Sequence, residues 1–329
     1  MTATPASSDD VPRIVQIAMC STNVVRTVQF FSEGLGFVES GREGLWGAML
    51  AQTQGLGDDM ACIIWWMTGA QPFMQLEIFQ HTDPVPSALP HDWRPSDLGW
   101  VRWGCAVPDF DAVLARLAAL NVEPIAAPVR LAGRRRMAVR IPFVGTVLEI
   151  IEDDPDSGAA LPRVVYATLS VADLDAARRF WGGSMQVADI PSGTLHGPGP
   201  EALWGLDGAD VERSLLPMHD CWLELVQYRS PVPRRREGYR LCDQGMQNIG
   251  IGFRTFAPLR ALADRMEAAG GTLALPRDVE AGNLSGNYAR TPDGHSFEAM
   301  AVPPAWDETL GFTSASRWLK ARLQSREPG

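Results

Sequence analysis

The 329-residue chain is 46% apolar, enough to fill two ordinary domain cores without crosslinks. Its formal net charge of -10 excludes a phosphate-backbone partner, because nucleic-acid binders concentrate Lys and Arg until the domain is basic. The five cysteines, at 20, 62, 105, 221 and 242, form no CxxC pair, and no apolar run approaches the ~18 to 20 residues that span a bilayer, so zinc knuckle, redox dithiol and membrane helix are all excluded.

In chain order, a small acidic arm over 1–12 carries no apolar leader stretch, which suggests a cytoplasmic protein in a reducing compartment. An alternating apolar run from Ile14 to Met19 predicts a strand, and VVRTVQFFSEGLGF after it predicts an amphipathic helix. Two apolar segments follow, the second being MQLEIFQHTDPVP at 74–86, and then the Gly-led strand GWVRWGCAV at 99–107. A helix, DAVLARLAALNV, and a last strand carrying Glu149 close this half. The acidic, flexible EDDPDSGAALP at 152–162 is the expected seam.

The pattern then repeats when 163–302 is laid over 13–154. Val164 to Val171 reads as a strand, LDAARRFWGGSM as a helix, WLELVQYRSPVP at 222–233 as the partner of 74–86, and GMQNIGIGF at 245–253 as the second Gly-led strand. Glu77 falls opposite Glu224 in this overlay. The Gly/Pro-rich SGTLHGPGP at 192–200 and TPDG at 291–294 read as turns, and the tail 303–329 as carrying a short helix around Trp318 to Leu323. The expected class is α+β. Four βαβββ units are grouped as two domains, 13–154 and 163–302, with helices on the outside of curved sheets.

Three echoes carry a resemblance: VADLDAARRFW at 171–181, the LEI and LEL strands, and TPDGHSFE at 291–298. From about residue 13 to 302 the chain resembles the vicinal oxygen chelate superfamily of glyoxalases, bleomycin resistance proteins and extradiol dioxygenases. That resemblance implies two open, curved, mixed-sheet cups. In each cup, first strands would offer His and fourth strands Glu to one divalent metal. Laid on this chain, the His positions hold Gln16, Arg102, Tyr166 and Asn248, while Glu77, Glu149, Glu224 and Glu298 keep the carboxylates. Without imidazole, no metal and no cofactor is expected, and redox-active iron least of all. Arg102 is expected to pair beside Glu77 and Glu149.

A carboxyl in an apolar pocket has its pKa raised and becomes a useful base near neutral pH. Glu298 or Glu224 is therefore the expected proton carrier, with Tyr166 and Asn248 donating to a developing enolate oxygen. Gln16, Glu77, Arg102, Glu149, Trp103, Trp222 and His219 are the expected substrate-binding residues. Eleven tryptophans favour an apolar or aromatic small molecule as partner. His81, His196, His219 and His295 read as strand-end or turn residues, His295 on the surface, and Arg134 to Arg136 and Arg234 to Arg236 as solvated loop charge. The expected function is a metal-independent isomerase or lyase acting by proton transfer, in a monomer or homodimer. Two rivals stand beside it: a protein that sequesters a drug or metabolite, and an atypical dioxygenase suggested by YARTPDGHSFE at 288–298.

Overall fold

A computed structural model describes residues 11–197, 199–275 and 286–313. The expected helix at Trp318 to Leu323 and most of the arm 1–12 lie outside the described residues. The first unit is β1 (Arg13–Cys20), α1 (Val24–Gln29) running into a π-helical turn at Phe30–Leu35, β2 (Val38–Trp46), α2 (Ala48–Gln54), β3 (Ala61–Thr68) and β4 (Gln75–Asp83). The second is β5 (Gly99–Val107), α3 (Phe110–Ala119), β6 (Val129–Leu131), β7 (Arg134–Arg140) and β8 (Val147–Glu152). The third is β9 (Arg163–Ser170), α4 (Leu174–Met185), α5 (Gly193–His196), β10 (Asp210–Met218) and β11 (Cys221–Ser230). The fourth is β12 (Gly245–Phe253), α6 (Phe256–Ala268), β13 (Thr272–Leu273), β14 (Gly286–Arg290) and β15 (Ser296–Ala301).

Helix starts follow from side-chain caps. Asn23, Asp109 and Asp173 each accept the backbone N–H three residues on, a pattern worth about 1 kcal/mol per helix. In the third unit the expected second strand shrinks to the single bridge Ile190↔Leu215. The Gly- and Pro-rich stretch after it cannot propagate a ladder, and instead forms α5 and a 3-10 turn at Glu201–Trp204.

The sheets are assembled across the two halves of the chain, where consecutive units had been expected to share a domain. An eight-stranded mixed sheet runs β13-β14-β15-β12-β1-β4-β3-β2, joining the first and fourth units, and a seven-stranded one runs β10-β11-β9-β5-β8-β7-β6, joining the second and third. We call their concave sides the terminal cup and the central cup. Strands β1 and β12 pair antiparallel at one seam, and β5 and β9 at the other.

The convex sides share one core with the helices, in which Phe31, Trp103, Leu117, Phe180 and Trp181 are all but sealed from solvent. Each such side chain contributes roughly 1.5–3 kcal/mol by leaving water. Every first strand also carries a register shift that leaves one extra residue just before the cup position. These residues are Val15, Val101, Val165 and Gln247. Among the described residues, no helix is long and apolar enough to cross a membrane.

Candidate active site

Strand alternation puts the four first-strand positions and the four glutamates on the concave faces, and the sheet pairing sorts them into two sets. The central cup holds Arg102, Glu149, Tyr166 and Glu224; the terminal cup holds Gln16, Glu77, Asn248 and Glu298.

In the central cup every charge is answered. Arg102 donates to Glu224 Oε2 at 2.6 Å and to the Tyr228 hydroxyl at 3.0 Å, and its guanidinium lies 3.6 Å from the Trp204 ring centre. Glu224 also accepts from Thr168 Oγ1 at 2.8 Å. Arg136 donates to Glu149 Oε1 at 2.8 Å, and Glu149 Oε2 accepts from the Tyr166 hydroxyl and from Trp204 Nε1. His196 stands between the two carboxylates, 3.6 Å from Glu149 and 3.4 Å from Glu224. Burial pushes the Glu224 carboxyl up, but Arg102, His196 and Arg213 outweigh it and hold the group well below the usual carboxylate range. Arg102, Glu149, Tyr166, Glu224 and His196 are all buried, because α5 and the Glu201–Trp204 turn fold into the concavity and plug it.

The terminal cup is built from the same positions with the opposite electrostatics. Gln16 Nε2 donates to Glu77 Oε2 and, at 3.2 Å, to Glu298 Oε2, while Trp66 Nε1 donates to Glu77 Oε1 at 3.2 Å. No described cation pairs with either carboxyl. Burial and the neighbouring Glu298 charge raise Glu77 well above its ordinary value, and burial raises Glu298 to about 7. Such a pair titrates as a unit and keeps near neutrality a proton that isolated glutamates would have lost.

Glu298 is half-buried, and its Oε1 leans on Gly286 so closely that a Cβ there would sit 2.6 Å away. Asn248 is sealed from solvent, and neither amide atom has a hydrogen-bond partner among the described residues. Tyr288 lies opposite Glu298 across the β14–β15 ladder, its hydroxyl facing the Asn248 amide outside regular hydrogen-bond geometry and accepting from Gln54 Nε2 at 3.4 Å. Burial and the two glutamates raise that phenol, so it stays a neutral donor. His81 stacks on Phe79 beside Gln54, and burial lowers it to about 4, leaving it neutral. Ala18, Cys20, Cys62, Ile64, Trp66 and Phe79 make the apolar wall next to this polar row, with Ala51 and Leu50 of α2 packed over them.

Two solved structures match this architecture along nearly its whole length. Glyoxalase I from Zea mays is 12% identical with a TM-score of 0.58, the match covering 96% of this chain and 97% of that one. A putative dioxygenase from Bacillus subtilis is 14% identical with a TM-score of 0.62, covering 96% of both. This chain has the vicinal oxygen chelate fold. No family model and no curated protein matches it.

The metal that a vicinal oxygen chelate cup implies does not fit the residues here. The four positions of the terminal cup offer two carboxyls and two amides, the Gln16 amide nitrogen already stands between the carboxyls, His81 beside them is turned to Gln54, and burial keeps the Cys20 and Cys62 thiols protonated. Among the described residues, no group of three or more His, Cys, Asp and Glu could hold an ion.

Several sequence expectations are corrected. Glu298 and Asn248 share the terminal cup, whereas Glu224 and Tyr166 lie in the other, so the four do not converge. Arg102 pairs with Glu224 rather than Glu77 or Glu149, and Glu149 takes Arg136 instead. Trp103 faces the helix side against Phe31, since a strand that turns Arg102 inward turns its neighbour outward. Trp222 packs at the plugged cup with Tyr166 and Leu195, and His219 sits in the β10–β11 turn beside Asp220. His295 is buried rather than superficial. Arg134 to Arg136 lie in β7, and Arg234 is tied to Asp92 and Asp97.

Sequence reasoning missed His196, Arg136 and Trp204 in the central cup and Trp66, Gln54 and Tyr288 in the terminal one. Two signals were available. Trp66 shares a face with Glu77 in the antiparallel β3–β4 register, and Tyr288 opposes Glu298 across the turn at TPDG.

Proposed function

We propose that the terminal cup is the active site of an enzyme that moves a proton on an apolar or aromatic small molecule, in an isomerisation or elimination that uses no metal. The observation that carries this reading is two carboxyls bridged by one amide, with no cation beside them and the Asn248 amide without a hydrogen-bond partner among the described residues. In the ionised form, Glu298 takes a proton from a carbon next to a substrate carbonyl. The charge passes to the carbonyl oxygen, where Asn248 Nδ2 and the Tyr288 hydroxyl donate hydrogen bonds. Glu298 then returns the proton to a neighbouring carbon, giving an isomer, or the enolate expels a leaving group, giving an alkene. Glu77, held by Gln16 and Trp66 and raised by burial and the Glu298 charge, keeps its proton, while Glu298, raised by its own burial, is poised near neutrality.

The apolar wall from Ala18 to Phe79 suits a greasy substrate body. The likeness in fold to glyoxalase I and to a putative dioxygenase supports an enzymatic reading, and the donor set of the cup disfavours dioxygenation here. Five unpaired, buried thiols suit a reducing, cytoplasmic setting, and a chain that pairs its own units can act as a monomer or homodimer.

The test is deuterium exchange from D2O into a panel of aryl ketones and enones, measured for the wild type and Glu298→Gln, with and without chelator. Exchange that survives chelation and vanishes in Glu298→Gln supports the reading. Exchange that depends on an added metal contradicts it. If no compound exchanges while one quenches tryptophan fluorescence in the wild type and not in Trp66→Phe, sequestration replaces catalysis.

A further inference from the structure

Four copies of one unit allow a comparison at equivalent positions. The bulged residue before the cup position is Val15, Val101 and Val165 in three copies, and each packs in an apolar cluster. The fourth copy has Gln247, 1% exposed, and neither its amide nitrogen nor its oxygen has a partner among the described residues. An unpaired buried amide costs about 1–3 kcal/mol, so replacing valine with glutamine here is a stability loss unless something satisfies it.

Gln247 opens into a cavity of about 630 Å³ outside both cup centres. It lies where the connections after β4 and after β11 meet the start of β5 and the β14–β15 turn. Two more lining groups are buried without partners among the described residues, Thr146 Oγ1 and Ser296 Oγ. Ser296 is held by its backbone, whose carbonyl accepts from Trp100 Nε1 at 2.7 Å, so its hydroxyl stays available. The floor therefore offers one amide and two hydroxyls, all neutral and able both to give and to accept hydrogen bonds.

The rim is different. Asp92 and Asp97 are taken up by Arg234, and Asp243 by Arg240 and the Ser87 amide. Arg236 is spent on the carbonyls of Ser87, Ala88 and Gln244. Arg235 and Arg290 are exposed and have no carboxylate partner among the described residues, and of the four carboxylates that line the cavity Glu237 alone lies outside the pairs just given. The surplus at the mouth is positive, and the volume suits a metabolite-sized ligand.

We propose that this cavity binds a small hydroxylated organic anion, its carboxylate or phosphate at Arg235 and Arg290 and its hydroxyls on Gln247, Thr146 and Ser296. The site is independent of proton transfer in the terminal cup.

Titration calorimetry with glucose 6-phosphate, gluconate and inorganic phosphate tests it, on the wild type, Gln247→Val, Thr146→Val and Glu298→Gln. Either organic anion should bind at least about tenfold more tightly than inorganic phosphate, since one retained hydrogen bond is worth roughly that factor. Binding of one but not the other identifies the head group. Gln247→Val, which restores the residue of the other three copies, should weaken binding about tenfold or more while leaving the melting temperature unchanged or raised. Thr146→Val serves if that variant fails to fold. Glu298→Gln should bind as the wild type does, so a failed catalytic reading leaves this result standing. No binding of either organic anion, inorganic phosphate binding equally well, or undiminished binding by Gln247→Val would each overturn the proposal.

Discussion

The two cups set the same strand positions to different uses. In the central cup both carboxylates meet arginines, and α5 with the Glu201–Trp204 turn closes the concavity over them. In the terminal cup the corresponding carboxyls meet an amide and each other, and the half-buried Glu298 remains near the outside. A duplicated unit thus carries one ionic cup that is paired out and one that is left electrostatically unsatisfied. Catalytic chemistry needs the second condition, because a base must be able to change its charge.

The sharpest way to break this contrast is to remove a cation from the central cup. Arg102→Met leaves Glu224 buried without its 2.6 Å partner, with an expected loss of about 3–5 kcal/mol in urea unfolding. Any loss of turnover should follow the folded fraction alone. A wild-type-like unfolding curve would mean that the ion pair is not structural.

Glu298→Gln should do the reverse, lowering the rate about 10²–10⁴-fold with the fold intact. Its stability effect has a definite sign. A raised folded pKa means that the native state holds a proton which the unfolded chain releases, so wild-type stability should fall as pH rises from the ordinary glutamate range through about 7. Melting curves of Glu298→Gln should show a shallower slope, because Glu77, raised chiefly by its own burial, still holds a proton in the native state, and the variant should equal or exceed the wild type at alkaline pH. In the wild type, kcat/KM should climb with pH through the same window, because the base must be ionised.

Gly286→Ala is expected to be milder. The new Cβ, 2.6 Å from Glu298 Oε1, displaces the carboxylate without removing it, costing about 10- to 100-fold in kcat with little change in unfolding. Least of all, His219→Ala should stay within about 0.5 kcal/mol of the wild type with unchanged turnover, since His219 lies in a half-exposed turn.

Much of this arrangement was legible in the residues. The family resemblance, laid on the aligned repeats, located all eight cup positions, because a strand period of two leaves little freedom once one position of a strand is given. The pairing of first with fourth unit was not legible. Nothing in local periodicity says which edge strand finds which, and the antiparallel seams β1/β12 and β5/β9 are long-range contacts. His196 and Trp204 escaped for a related reason. A Gly/Pro-rich stretch reads as a surface turn, yet here it folds inward to cover buried charge. Arg136 was hidden in a run that looked like loop charge, and only β7 pairing turns its middle side toward Glu149.

The shared proton of the terminal cup can be observed directly by following the side-chain carboxyl carbons of ¹³C-glutamate-labelled protein by NMR across pH. A titration step near 7 is expected in the wild type, and its absence in Glu298→Gln. If every glutamate instead titrates at or below the ordinary value of about 4.3, both carboxyls are ionised at neutral pH and the proposed base is not poised.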